Sequence, residues 1–221
     1  MIKSALRGLT AAAILVLPLA PAPSAHAAES VPLAAAVERL PLAAESRAGY
    51  QRTAFKHWNA GTNPADGCNT RAEVLIAEAV EAPQIGPNCQ LTGGRWFSYY
   101  DATSVTSASG LDIDHMVPLA EAWDSGASAW TARRREAYAN DQGAEASLVA
   151  VTARSNRSKS DQDPATWMPP APDEAVRCTY AAQWVGTKLR WGLAVDDTEL
   201  AALRDIAGGC PLKAVAYEPA T

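Results

Sequence analysis

Two short stretches hold the residue types that acid–base and metal chemistry require. In LDIDHMVP, residues 111–118, Asp114 stands directly before His115, and Asp112 lies two residues earlier. In SNRSKSD, residues 155–161, Asn156, Lys159 and Ser160 share one helical face at i, i+3 and i+4. A neutral imidazole serves as a base near neutral pH, and carboxylate and amide oxygens suit a hard divalent cation. A plainer reading stands beside this one: a histidine next to an aspartate is often a capped or buried pair. Asp112 reads first as a solvent-facing strand residue, since exposed strand faces are commonly charged, and second as a support for its neighbours. Arg157 and Asp161, at i and i+4, read as a surface ion pair worth little, and Asp163-Pro164 as a turn or cap.

The elements that must position these residues follow from periodicity. Leu111 and Ile113 alternate with Asp112 and Asp114, which predicts a short strand ending at His115. Alternation turns Asp114 and His115 to opposite faces, so they must lie at a strand end or bend, and Pro118 at the first turn of the helix PLAEAWDSGA permits it. SAWTARRREAYAND predicts a polar, basic helix, ASLVAVTA a second strand, and RSNRSK one or two helical turns before a proline-rich break. Upstream, Tyr50, Ala54 and Trp58 recur at helical spacing in AGYQRTAFKHWNAG. TRAEVLIAEAV reads as a helix with Thr70 as N-cap and Glu73 completing a capping box. RWFSYYDAT reads as a strand. Two helices, DEAVRCTYAAQWVGTKLRWGL and DDTELAALRDIAGGC, close the chain. The expectation is an α+β, mostly helical single domain with its strands concentrated around the Asp-His pair.

The N-terminus reads as a secretory signal over residues 1–27: Lys3 and Arg7, a short apolar run, and the small-x-small site Ala25-His26-Ala27. Its removal takes away two basic residues and no acid, moving the net charge from −5 to −7. Such an acidic chain does not suit generic nucleic-acid binding, so a polyanion partner would need a local basic patch. No later segment is long and apolar enough for a membrane span. Residues 28–48 read as an Ala-rich, partly ordered leader, and residues 49–221 as the domain. In an exported chain, Cys68, Cys89, Cys178 and Cys210 are expected to form two disulfides. Three pairings are possible. The sequential one, Cys68–Cys89 and Cys178–Cys210, is favoured because each pair brackets a local unit, the second stapling the terminal helices over 173–210.

The order strand, Asp-His, insertion, strand, then NRxKxD on a short helix resembles the ββα-metal finger of HNH endonucleases, over about residues 111–163. DHMVP is similar to the Asp-His-x-x-Pro that opens the finger, and NRSKSDQDP to the run that closes it in RNA-guided CRISPR nucleases. With GRWFSYYD and EAWDSGA, these pieces look like exported bacterial HNH proteins related to the C-terminal domain of GmrSD-type restriction endonucleases. The resemblance implies His115 as general base and Asp114 with the side-chain oxygen of Asn156 as metal ligands. Magnesium is the expected ion, with manganese as the alternative. Lys159 would hold a phosphate beside the metal. The family's middle residue, which braces the loop carrying the base, has two candidates here, Ser147 and Asn140.

Arg154 and Arg157 near the finger, and Arg134 with Arg133 and Arg135 in the insertion, are candidate phosphate contacts. A solvated helix face with ion pairs to Glu136 and Asp141 is as good a reading of the arginine run. Trp123, Trp130 and Trp167 read as core before base-stacking platforms, and His57 as a core or surface residue. The resulting expectation is a secreted, metal-dependent phosphodiester hydrolase acting on DNA, with RNA as a further candidate, and with little sequence preference. The alternative is an exported nucleic-acid-binding or cell-envelope interaction protein that keeps the scaffold without catalysis.

Overall fold

The computed structural model describes residues 29–221, and the expected signal peptide lies outside them. In chain order the elements are β1 (Glu29–Pro32), α1 (Leu33–Val37), α2 (Thr70–Ala77), β2 (Gln84–Ile85), β3 (Leu91–Thr92), β4 (Trp96–Ser98), β5 (Thr103–Val105), β6 (Leu111–His115), α3 (Leu119–Asp124), α4 (Ala132–Ala139), β7 (Leu148–Thr152), α5 (Ala153–Lys159), α6 (Glu174–Trp191), α7 (Asp197–Gly208) and β8 (Ala214–Tyr217). The strands form four antiparallel pairs: β1 with β8, β2 with β3, β4 with β5 and β6 with β7. The class is α+β. Helix exceeds strand, but loops and short 3₁₀ turns carry much of the chain, so the expected helical predominance holds only in part.

The β6–β7 ladder lies between two cores. Leu111 and Ile113 on β6, with Leu148 and Ala150 on β7, join Val74, Leu75 and Trp96 in the smaller cluster. Val149 and Val151 face the larger one, which holds Phe55, Tyr100, Tyr138, Tyr180 and Trp184. With both faces covered, β7 is a continuous buried run, LVAVT. In the ladder Asp112 stands opposite Val151, Asp114 opposite Val149 and His115 opposite Leu148. Asp112 and Asp114 therefore share one face, and His115 takes the other.

Several local expectations change. Residues 29–48 are not a leader: β1 pairs with β8, a strand not anticipated from the sequence, and Leu33, Ala36 and Val37 are buried in the larger core. The 50–58 stretch forms only a 3₁₀ turn at Arg52–Ala54. Its backbone is drawn to other segments: the Arg135 guanidinium donates to Ala54 O (3.2 Å), the Asn140 amide donates to Lys56 O (2.9 Å), and Asn59 N–H donates to Asn140 Oδ1 (2.9 Å). The N-cap of α2 is Asn69, whose side chain accepts from Ala72 N–H. Glu73 serves the preceding loop instead, accepting from Thr62 N–H at 2.9 Å and Gln142 Nε2 at 2.7 Å. Both disulfides take the sequential pairing, closing loops of 21 and 32 residues, each contributing about 3 kcal/mol in the loop-entropy model.

A buried charge cluster ties α3, α6 and α7 together. The Lys188 ammonium donates to Glu199 (2.6 Å), Ala194 O (2.8 Å) and Glu121 (2.9 Å), with Ser125 Oγ at 2.9 Å and Glu45 at 3.8 Å. Burial would depress the lysine, but Glu199 and Glu121 outweigh it and hold it above its usual range. Burial, reinforced by the neighbouring Glu121 carboxylate, pushes Glu45 up to about 8. Burial likewise raises Glu199 to about 7 against the pull of Lys188, and Glu78 to about 7 against its bond from Ala150 N–H.

These carboxyls hold protons in the folded chain that the unfolded chain releases from about pH 4.5. Their stabilisation is complete below that value and is lost as pH rises towards 7–8. His115 acts oppositely: burial lowers it to about 3, so the unfolded chain gains protons below about pH 6.5. Above about pH 7 the unfolded imidazole has lost most of its proton and the carboxyls dominate, so the melting temperature should fall from about pH 7 to 8. Glu78→Gln should flatten the decline, and melts read by circular dichroism at half-unit pH steps check it.

Candidate functional site

Helix α5 lies over the Asp112/Asp114 face of β6, and its start is fixed by Thr152, whose hydroxyl accepts from Ser155 N–H. A strand advances ~6.5 Å over two residues and a helix ~4.5 Å over three. Two pairs are thereby matched, Asn156 with Asp112 and Lys159 with Asp114. Asn156 Nδ2 donates to Asp112 Oδ2 at 3.2 Å. Lys159, with 0% exposure, donates to Asp114 Oδ2 (2.5 Å), His115 O (3.0 Å) and Met116 O (2.8 Å).

All three partners of Lys159 are acceptors, and only an ammonium has three protons to give. Asp114 Oδ2 also accepts from the buried Tyr100 hydroxyl at 2.6 Å, so that oxygen takes two donors, as an ionised carboxylate does. Burial pushes Asp114 up and Lys159 down, and their contact with each other opposes both shifts. The geometry favours the charged pair. The expected phosphate contact by Lys159 is corrected accordingly: its ammonium is sealed under the strand end and holds Asp114 and the 115–116 backbone.

His115 is 6% exposed and packed between two rings, Trp58 at 5.5 Å and Tyr138 at 6.4 Å between centroids, both close to parallel with it. Its Nε2 lies 3.0 Å from Ala139 O. A carbonyl only accepts, so Nε2 carries the proton and Nδ1 keeps its lone pair. Burial holds this imidazole neutral, its pKa lowered to about 3. The Trp58 backbone has φ 60°, a conformation uncommon for a residue with a side chain, and this turn carries the ring onto His115.

A cleft of about 280 Å³ brings together Arg52, Asp114, His115, Asn156, Arg157 and Asp161. Among the described residues no donor occupies Asp114 Oδ1 or Asn156 Oδ1. Arg157 faces Asp112 at 3.7 Å rather than Asp161, which meets Arg47 at 3.4 Å. Arg154 is exposed but does not line the cleft. Arg134 is turned away from it, its guanidinium 4.9 Å from the Trp130 ring and 5.3 Å from that of Trp191, donating to Trp191 O. Arg135 is spent on the carbonyls of Ala54, Ala127 and Trp130. Arg134 and Arg135 therefore brace the fold and do not line the cleft.

The two candidates for the bracing residue separate. Ser147 Oγ donates to Asp141, which is held by Arg190 and Trp191. Asn140 follows Ala139, the partner of His115, and its amide ties together Lys56 O, Glu136 O, Asn59 N–H and Thr70. It thus holds the loop that presents Trp58 to the imidazole. His57 donates Nδ1–H to Phe55 O and lies edge-on to His115 at 6.2 Å. Trp123, Trp130 and Trp167 pack against the larger core.

Sequence reasoning missed Tyr100, Trp58, Tyr138 and Arg52. They reach the site only through tertiary packing, and the sole local sign was the aromatic density of RWFSYYD. The three carboxylates within metal-binding reach of one another, Glu45, Glu121 and Glu199, enclose the Lys188 ammonium instead.

The β6–β7 pair and the helix that follows it thus bring Asp114, His115 and Asn156 to one cleft. The family model for the C-terminal domain of GmrSD restriction endonucleases matches residues 62–206, and the chain belongs to that family. It is 40% identical over 162 residues to an uncharacterized secreted protein of Arthroderma benhamiae, covering 73% of this chain and 76% of the relative. The relative's description and the two disulfides fit an extracellular protein. No solved structure matches the chain.

Proposed function

We propose that the protein is a secreted, metal-dependent HNH endonuclease that hydrolyses phosphodiester bonds of DNA, with RNA as a second candidate substrate and little sequence preference. The observation that carries the reading is the single cleft in which a neutral His115 with a free Nδ1 stands beside two undonated oxygens, Asp114 Oδ1 and Asn156 Oδ1.

Two protein oxygens and an open cleft fit magnesium or manganese, which keep several water ligands and bind through one or two protein groups plus phosphate. When bound, the cation would neutralise charge on the phosphate and the leaving oxygen. His115 Nδ1 takes the proton of the attacking water, while the Nε2–H bond to Ala139 O fixes the tautomer and steadies the ring as charge develops. Arg52 and Arg157 meet the backbone phosphates without reading base sequence. The family resemblance gives 3′-hydroxyl and 5′-phosphate ends.

The test is incubation of residues 28–221, disulfides intact, with plasmid and linear DNA in magnesium, manganese or EDTA. Cleavage with either metal and none in EDTA is expected. Nucleic-acid binding without cleavage in any lane would favour an inactive binding protein on the same scaffold. Equal cleavage in EDTA would remove the metal from the reading.

A further inference from the structure

We propose that Asp112 is a positioning residue, which sets the Asn156 amide so that its oxygen and not its nitrogen faces the cleft. The assignment rests on the cation site proposed above. Asp112 Oδ2 lies 3.2 Å from Asn156 Nδ2. A carboxylate has no proton to give, so only the NH₂ end of the amide can meet it. The flipped amide would set two acceptors against each other and turn N–H groups towards the cleft, where a cation needs an oxygen lone pair. Asn156 Oδ1 is thus directed away from Asp112 by the hydrogen bond itself.

The placement is built into the ladder. Asp112 shares its face with Asp114 and stands opposite Val151, and α5 begins immediately after β7, which carries Asn156 over that face. The other partner of Asp112 is Arg157 at 3.7 Å, whose side chain is 78% exposed. An ion pair so open to water contributes little, so it does not account for Asp112. Asp112 does not itself line the cleft, which separates it from Asp114 and leaves it the supporting task. Groups that hydrogen-bond a metal ligand typically change metal affinity 10–100-fold when removed.

The experiment measures Mn²⁺ affinity of the intact secreted chain by electron paramagnetic resonance, without DNA. Asp112→Ala should weaken Mn²⁺ about 10–100-fold while the metal-free melting temperature stays near that of the parent. Asp112→Asn, uncharged but still an acceptor, should restore most of the affinity. In an Asn156→Asp background, Asp112→Ala should have no weakening effect, because a carboxylate presents oxygen either way round. Parent-like affinity in Asp112→Ala, with loss in Asn156→Ala, would overturn the positioning role alone. Equal weakening in Asp112→Asn and Asp112→Ala would overturn it in favour of bulk charge. Parent-like affinity in both Asn156→Ala and Asp114→Asn would overturn the cation site, and this assignment with it.

Discussion

Replacing His115 with alanine should lower the rate of DNA cleavage about 10²–10⁴-fold, the usual contribution of a positioned base, or roughly 3–5.5 kcal/mol in barrier. Mn²⁺ affinity should not change, because in the proposed mechanism His115 supplies no metal ligand and serves only as the base for the water. The ring also fills space between Trp58 and Tyr138, so its removal leaves a cavity and some instability. His115→Gln keeps an acceptor and a donor of similar reach and serves as the packing control. Single-turnover cleavage at saturating metal, with both variants verified as folded by near-ultraviolet circular dichroism, separates the two effects. A large rate loss in both variants with Mn²⁺ binding intact is the expected result. Parent-like cleavage by folded His115→Ala would remove the imidazole from the mechanism.

What could be read in advance was local. The alternation in LDIDH is enough for a strand that ends at His115, because one register alone puts Leu111 and Ile113 in a core. The Asn156-to-Lys159 spacing is enough for a shared helix face, and four cysteines in an exported chain are enough for two staples. The direction in which a shared face points was not legible. Asn156 and Lys159 lie on one face of α5, yet one edges the cleft and the other is sealed beneath the strand end, because α5 rests on β6 with Lys159 against buried Asp114.

The N-terminal segments escaped for a related reason. Residues 50–58 have helical spacing of Tyr50, Ala54 and Trp58, but their backbone groups find partners on Asn140 and Arg135, more than 75 residues away. No window of sequence contains both halves of those bonds. β1 and β8 define each other across almost the whole described chain, so neither was visible alone. The arginine run of α4 looked like a surface for phosphate because composition reports charge and not its target. In the fold, Arg134 and Arg135 spend their donors on carbonyls and their planes on tryptophans.

The corrected place of Lys159 predicts a stability effect where a phosphate contact would give only a kinetic one. Lys159→Met keeps the stem and removes the charge. It leaves Asp114 with Tyr100 as its one donor, and the carbonyls of His115 and Met116 without the buried donor that paired them. Breaking a buried pair on one side costs about 3–5 kcal/mol, a loss that urea unfolding at pH 7 measures directly. Removing the stranded charge should recover part of it, so Lys159→Met/Asp114→Asn should be more stable than Lys159→Met alone, by a coupling of about 0.5–3 kcal/mol. Cleavage should fall in both variants, because Asp114 and the backbone behind His115 lose their support. If Lys159→Met unfolds at the parent's urea midpoint and loses only DNA affinity, the ammonium reaches phosphate after all, and the hold on Asp114 is not what keeps this lysine under the strand end.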